Sequence, residues 1–403
     1  MKIVLLIIII AGSTKLFEGT PLDIAHEIVF NFLVLLGFLF CIKYSLRYFF
    51  LIKRASLTQL ALLTTPFIIV CLSALRSYMV YGQPLHIGIL SERGWFIFGL
   101  IFWLRESIIS GRIKEYHLKL VFQLLFYFTV ISFLLASNLI KSDSASNFDW
   151  AYVSTVRGVR FTFDKIFLSF GIFYSFISLI KKKRLRDLFM VLICSYIVLF
   201  IIKGRTYSLM LFSVMAFFYY SHLCDKANFS KNLKVFLNLT FGTLFLITLA
   251  SMYISLGETL VEKQLDSSII ARLNTLDIIL LAISEKTSFM FGTGRLSYFY
   301  QGGYPGVYGH FYPADMGILG GIFLYGIIFS ILIVVALMLF YFKVLKSFDD
   351  FDSMFINALK MIVFSAIITI LQHGLYLGPN DFFLCAIILN SLVIYRKSPK
   401  SQF

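Results

Sequence analysis

Several arginines stand where an apolar chain tolerates them least. Arg93 closes the triplet Ser91-Glu92-Arg93 inside an otherwise apolar run. Arg157 and Arg160 lie in STVRGVRFTFDK, just before another such run. Arg205 and Lys203 fill the short turn of IIKGRTYSL, Arg272 lies within SSIIARLNTLDIILLAI, and Arg295 follows a glycine pair in FGTGR. Charge within a membrane is costly, so its default reading is functional. Arg stays ionised and offers a planar fork of donors that matches phosphate oxygens. Arginines gathered on one membrane face suit an anionic ligand, such as a phosphate or diphosphate at headgroup level. Arg93, Arg160, Arg205, Arg272 and Arg295 are therefore the candidate substrate-binding residues. The competing reading of each is a side chain snorkelling to lipid headgroups, and that reading is taken for Arg76 and Lys141.

A second group could move a proton. His310 stands in the loop FGTGRLSYFYQGGYPGVYGHFYPAD, with Asp315 close behind it. A histidine titrates near neutral pH and can accept a proton from an attacking hydroxyl. His310 is the first candidate base and Asp315 the second, with Glu92 or Asp164 next if both fail. The other histidines lie near the ends of apolar runs, where a structural role is the better reading. Tyr298, Tyr300, Tyr304, Tyr308 and Tyr312 surround His310, and aromatic rings there suit a membrane interface or stacking on sugar rings. No P-loop, GxSxG or HExxH motif occurs, and no metal site and no cofactor is expected.

These residues need elements to hold them, and composition names the elements. The chain is 59% hydrophobic and 14% charged, against about 25% charged in soluble domains. Mean hydropathy is +0.86. Such a chain is solvated by a bilayer, where helices satisfy the backbone internally. The formal charge of +15 does not point to nucleic acid, because the basic residues flank apolar runs instead of forming one patch. The five cysteines include no CxxC pair, which argues against disulfides and zinc.

The expected fold is all-α: one polytopic transmembrane domain over residues 1–403 with about twelve helices. The apolar runs fall near 3–19, 25–42, 57–75, 86–104, 118–139, 163–180, 187–202, 206–222, 235–256, 314–342, 355–372 and 381–395. Lys2 and IVLLIIIIAGS resemble a signal peptide, but another apolar run follows at once, so the stretch is read as a first span. Most Lys and Arg, including KKKRLR at 181–186, fall on one side if both termini are cytoplasmic. The segment at about 257–313 then lies outside as a loop insert. Within it Ile269, Leu273, Leu276, Leu280 and Ile283 recur at helical spacing, which predicts an amphipathic helix. Gly317 and Gly321 have the small-xxx-small spacing of close helix contacts.

Taken together, GRTYSL, Arg272 followed by FGTG, and GHFYPADMGILGGIFLYGI resemble the O-antigen polymerase family (Wzy type), which is related to the O-antigen ligases. The resemblance covers most of the chain by topology and only a short part by motif. It implies a GT-C-like membrane glycosyltransferase in the bacterial inner membrane, with the loop insert in the periplasm. Its substrates would be undecaprenyl-diphosphate-linked oligosaccharide repeat units, and undecaprenyl diphosphate would leave. Its partners would be membrane lipid and a chain-length regulator protein, with no nucleic acid. His310 is followed by Phe311, not Asn, and Asp315 comes early, which departs from the ligase pattern and favours a polymerase. The alternatives are a ligase acting on lipid A core and a transporter or flippase of lipid-linked sugars.

The topology has a direct check. Reporter fusions at Ser267 and Lys183 are expected to lie on opposite sides of the membrane. The same side for both would overturn the topology and the site built on it.

Overall fold

A computed structural model describes residues 2–14, 16, 23–50, 57–139, 152–155, 158–161, 165–202, 205–226, 267–309, 311–340, 353–368 and 381–397. The architecture is helical, with one two-stranded hairpin. In chain order come α1 (Lys2–Ser13), α2 (Asp23–Phe50), α3 (Leu57–Tyr81), α4 (Leu85–Ser91), a 3-10 turn (Arg93–Ile97), α5 (Phe98–Ile109) and α6 (Glu115–Leu139). The hairpin β1 (Tyr152–Thr155) and β2 (Gly158–Phe161) follows, with Val153 opposite Arg160. Then come α7 (Ile166–Lys182), α8 (Leu185–Tyr196) with a π-helical extension to Ile202, and α9 (Arg205–Lys226). The last group is α10 (Ser267–Ser284), α11 (Lys286–Phe291), α12 (Gly303–Tyr308), α13 (Gly317–Phe340), α14 (Met354–Ile368) and α15 (Asp381–Lys397).

Four of the described helices are long and apolar enough to cross a membrane, within α2, α3, α6 and α8 with its extension. A fifth crossing is available if α4 and the Arg93–Ile109 segment count as one span bent by 50°. The apolar run at 235–256 lies outside the described residues.

The two largest hydrophobic clusters among the described residues organise the bundle. The larger joins α1, α2, α5–α9, α14 and α15, and Phe122, Phe167, Phe170 and Phe355 interlock at its centre by edge-to-face contacts. The smaller gathers Ile69 and Val70 of α3, Trp95 and Phe98, Ile279 of α10, and Phe311, Phe323, Leu324 and Tyr325. Glu92 and Arg295 lie beside this second core.

Two helices along that core are broken, and each break has a physical cause. The run expected at 86–104 stops being α-helical at Glu92, as the charged triplet suggests. The backbone tightens into a 3-10 turn, and Nη1 of Arg93 donates to the Leu90 carbonyl at 2.9 Å. The second break is at Gly326 in α13, where φ is 82° and ψ 169°. A break frees carbonyls that water cannot reach, so protein must satisfy them. The N–H groups of Thr293 and Gly294 do so, donating to Phe323 O at 2.7 Å and Leu324 O at 3.0 Å. The loop after α11 thus completes the broken helix.

The helix expected in the loop insert is α10, but its buried face differs from the expected stripe. Thr275 and Ile279 are buried, while Leu273 and Leu280 are exposed. The reason is packing: α10 meets α13 and the Pro313–Met316 turn, and the Tyr312 N–H donates to Thr275 Oγ1 at 3.4 Å. Of the expected stripe, Leu273 and Leu280 face away from the protein, Leu276 is half-buried and Ile283 packs against the second core.

Gly326 tests this packing. A Cβ there would lie 2.2 Å from the Met290 carbonyl oxygen at positive φ, whereas Gly309 has positive φ with nothing within 4 Å. Both Ala variants incur positive-φ strain of about 1–3 kcal/mol. Gly326→Ala is expected to lower the Tm in detergent clearly more than Gly309→Ala. Equal shifts would contradict the packed break.

Candidate functional site

The second core surrounds a carboxylate. Glu92 stands at the break after α4 with its side chain fully buried. Ser73 Oγ of α3 donates to its Oε1 at 2.7 Å. The Trp95 indole N–H donates to Oε2 at 3.1 Å. The Tyr325 hydroxyl lies 3.2 Å from both oxygens. Nη1 of Arg295 is 3.7 Å from Oε2, and 46% of the Arg295 side chain is exposed. Glu92 therefore lies at the back of the site, and the guanidinium lies in front, open on one side.

The segment carrying Arg295 is fastened along its length. The Arg295 N–H donates to Ser73 Oγ at 2.9 Å, and Gln83 Nε2 donates to the Arg295 carbonyl at 3.2 Å. Gln83 Oε1 accepts from the Ser297 N–H at 2.7 Å. The Tyr304 hydroxyl donates to Gly294 O at 2.8 Å and accepts from the Leu296 N–H at 3.1 Å. Burial raises the Tyr304 pKa, which keeps this donor protonated. Gly294 has φ +77°, and a Cβ there would come within 2.3 Å of the Ser73 carbonyl oxygen. The approach of this strand of loop to α3 requires glycine.

Arg76, expected to reach lipid headgroups, does something else. Its Nε donates to the Gly292 carbonyl at 2.7 Å, and its Nη2 lies 3.3 Å from Ser288 Oγ. Ser288 in turn donates to Glu285 at 2.8 Å. Bonds from Thr287 and Ser288 hold the Glu285 pKa below its ordinary value. Arg76 is a brace between α3 and α11.

The five arginine candidates do not form one cluster among the described residues. Arg295 is at the site. Arg93 is turned to α2, with Nη2 2.5 Å from Glu27 Oε1 and Nε 2.8 Å from Asn31 Oδ1, so it ties the broken helix to its neighbour. Arg160 lies on β2, Arg205 begins α9 and Arg272 lies in the first half of α10. The side chains of these three, that of Asp315, and the whole of His310 lie outside the described residues. Ser73, Gln83, Trp95 and Tyr325 had no place among the sequence candidates. The available signal was Ser73, Arg76 and Ser77 on one face of an apolar helix.

The depth of the site follows from helix rise. Ser73 is about 12 Å along α3 from Tyr81, Glu92 about 10 Å from Leu85, and Tyr325 about 12 Å along α13 from Gly317. Tyr81 and Leu85 share one end of the bundle, where the Tyr300 hydroxyl donates to the Tyr81 carbonyl at 3.2 Å. The carboxylate and its partners thus lie about 10–12 Å from that end along each helix. A separate cavity of about 370 Å³ lies elsewhere, lined by Glu115, Lys119, Tyr174, Ser353 and Arg396 among others.

No protein-family model, no curated protein and no solved structure matches the chain.

Removing a carboxylate that accepts from several buried donors strands those donors. Glu92→Ala is expected to cost about 3–5 kcal/mol, and Tyr325→Phe about 1–2 kcal/mol. Thermal unfolding in detergent checks both. A Glu92→Ala protein melting like the wild type would show that the network does not hold these elements together.

Proposed function

We propose that the chain is a glycosyltransferase of the O-antigen polymerase type in the bacterial inner membrane. It has about twelve spans, residues 257–313 on the periplasmic face and both termini in the cytoplasm. Beyond the long helices and the bent pair, this arrangement uses the shorter apolar segments Lys2–Ser13, Gly317–Leu332, Met354–Ser365 and Phe383–Arg396, together with the runs at 163–180, 206–222 and 235–256. Its substrates are undecaprenyl-diphosphate-linked repeat units, and a chain-length regulator protein is a partner.

The observation that carries this reading is Arg295: a half-exposed cationic side chain backed by a buried carboxylate, on a loop rich in tyrosine. The reaction needs positive charge where the leaving diphosphate develops negative charge. An acceptor hydroxyl oxygen bonds to the anomeric carbon of the donor. The bond from that carbon to the diphosphate oxygen breaks, and undecaprenyl diphosphate leaves. The hydroxyl proton passes to His310 or, as second choice, to Asp315. Arg205 and Arg272, with Arg160 and Arg295, balance the diphosphate charge. A ligase runs the same chemistry on a lipid A core acceptor, and the spacing from His310 to Asp315 speaks for the polymerase.

The two broken helices favour a second reading, a transporter or flippase. Discontinuous helices are how many transporters build a substrate site. Such transporters are often built from internal repeats, and the sequence shows none, which favours an enzyme.

Proteoliposomes holding the protein and a lipid-linked repeat unit separate these readings. The polymerase yields a product ladder and free undecaprenyl diphosphate, while a transporter moves the lipid and yields neither. Arg205→Ala and Arg272→Ala are expected to abolish the ladder with the protein still inserted, and Arg→Lys to rescue poorly. Normal ladders from both Ala variants would remove the diphosphate clamp. His310→Ala is expected to slow polymerisation by roughly 10²–10⁴-fold, and an unchanged rate would move the base elsewhere.

A further inference from the structure

Glu92 is the acidic residue that its place in the sequence offers as a reserve base. Its surroundings suit another task. The side chain has no exposed surface, so an acceptor hydroxyl cannot reach it. Ser73, Trp95 and Tyr325 already occupy its oxygens as neutral donors. Little acceptor capacity remains for a proton in flight.

Nor does Glu92 engage Arg295 fully. The 3.7 Å contact is an ion pair through one nitrogen, without the two parallel bonds of an Arg–carboxylate fork. Tyr304 and Tyr325 are the other electrostatic neighbours of the guanidinium. Its backbone is clamped on both sides, at the N–H by Ser73 and at the carbonyl by Gln83. Ser73 links the two halves of the site: it gives its hydroxyl proton to Glu92 and accepts the Arg295 N–H. A fixed backbone and a pull from behind aim the side chain.

We infer that Glu92 is a positioning residue, which with Ser73, Trp95 and Tyr325 holds Arg295 so that its open side receives the diphosphate of the substrate. The pair is neutral overall, yet the arrangement favours an anion. A phosphate in contact with the guanidinium would lie about twice as far from the carboxylate behind it, and Coulomb energy falls with distance, so attraction exceeds repulsion. The identity of the anion rests on the proposed function, whereas the aiming of Arg295 rests on the geometry alone.

The test uses the purified full-length protein in nanodiscs. Its probes are farnesyl diphosphate, farnesol and inorganic pyrophosphate, in discs with and without phosphatidylglycerol. Farnesyl diphosphate is expected to bind, pyrophosphate more weakly and farnesol not at all. Arg295→Gln is expected to weaken diphosphate binding by roughly tenfold or more. Glu92→Gln removes a negative charge, so simple electrostatics predicts tighter binding, and a positioning role predicts roughly tenfold weaker binding. Binding by Glu92→Gln as tight as the wild type, or tighter, overturns the inference. Should Glu92→Gln fail to fold, Tyr325→Phe decides, because it keeps both charges: several-fold weaker binding supports the inference and unchanged binding overturns it. Binding that tracks phosphatidylglycerol and ignores farnesyl diphosphate also overturns it, and assigns Arg295 to lipid headgroups. If the variants behave as expected while the wild type makes no polymer, the polymerase reading fails and the aiming of Arg295 stands.

Discussion

A carboxylate sealed inside an apolar bundle constrains everything around it. An ionised group without partners there costs several kcal/mol even after relaxation, so Glu92 has to be met by donors from several directions. They come from α3, from the turn after α4, and from α13. The turn after Glu92 breaks one helix, and the Gly326 break lets the loop after α11 enter and complete the other. Satisfying one charge and the backbone freed by two breaks brings together segments far apart in sequence.

The same constraint explains how the loop is held. The stretch from Gly292 to Tyr304 has almost no regular structure, yet its backbone groups find Arg76, Ser73, Gln83, Tyr304 and the freed carbonyls of α13. Arg295 is rigid at its root and open at its tip. That combination suits recognition, because the entropy of ordering the backbone that carries the side chain is spent in folding and not at binding.

Much of this was legible in the sequence. Period and composition locate α1 to α10 and α13 to α15, while α11, α12 and the hairpin fall in stretches read as loop, and the triplet at Ser91-Glu92-Arg93 marks the first break by the cost of its charges. The glycine-rich loop and Arg295 stand out for the same reason. The partners of Glu92 do not: Ser73, Trp95 and Tyr325 are unremarkable in apolar helices, and only tertiary contact gives them a role. Arg76 and Arg93 show the opposite error, since residues alike in type and setting become braces once their partners, Gly292 and Glu27, are in place. The buried side of α10 was also hidden, because packing on α13 chose Thr275 and Ile279 over the longer leucine stripe.

The central claim is that Arg295 meets the diphosphate while Glu92 stays engaged behind it. A cryo-electron microscopy structure of the protein in nanodiscs with farnesyl diphosphate tests it most directly. The account predicts phosphate density within hydrogen-bonding distance of the Arg295 guanidinium, with Glu92 still bonded to Ser73, Trp95 and Tyr325. Density at a different site, with Arg295 folded back onto Glu92 as a two-bond fork, would contradict it.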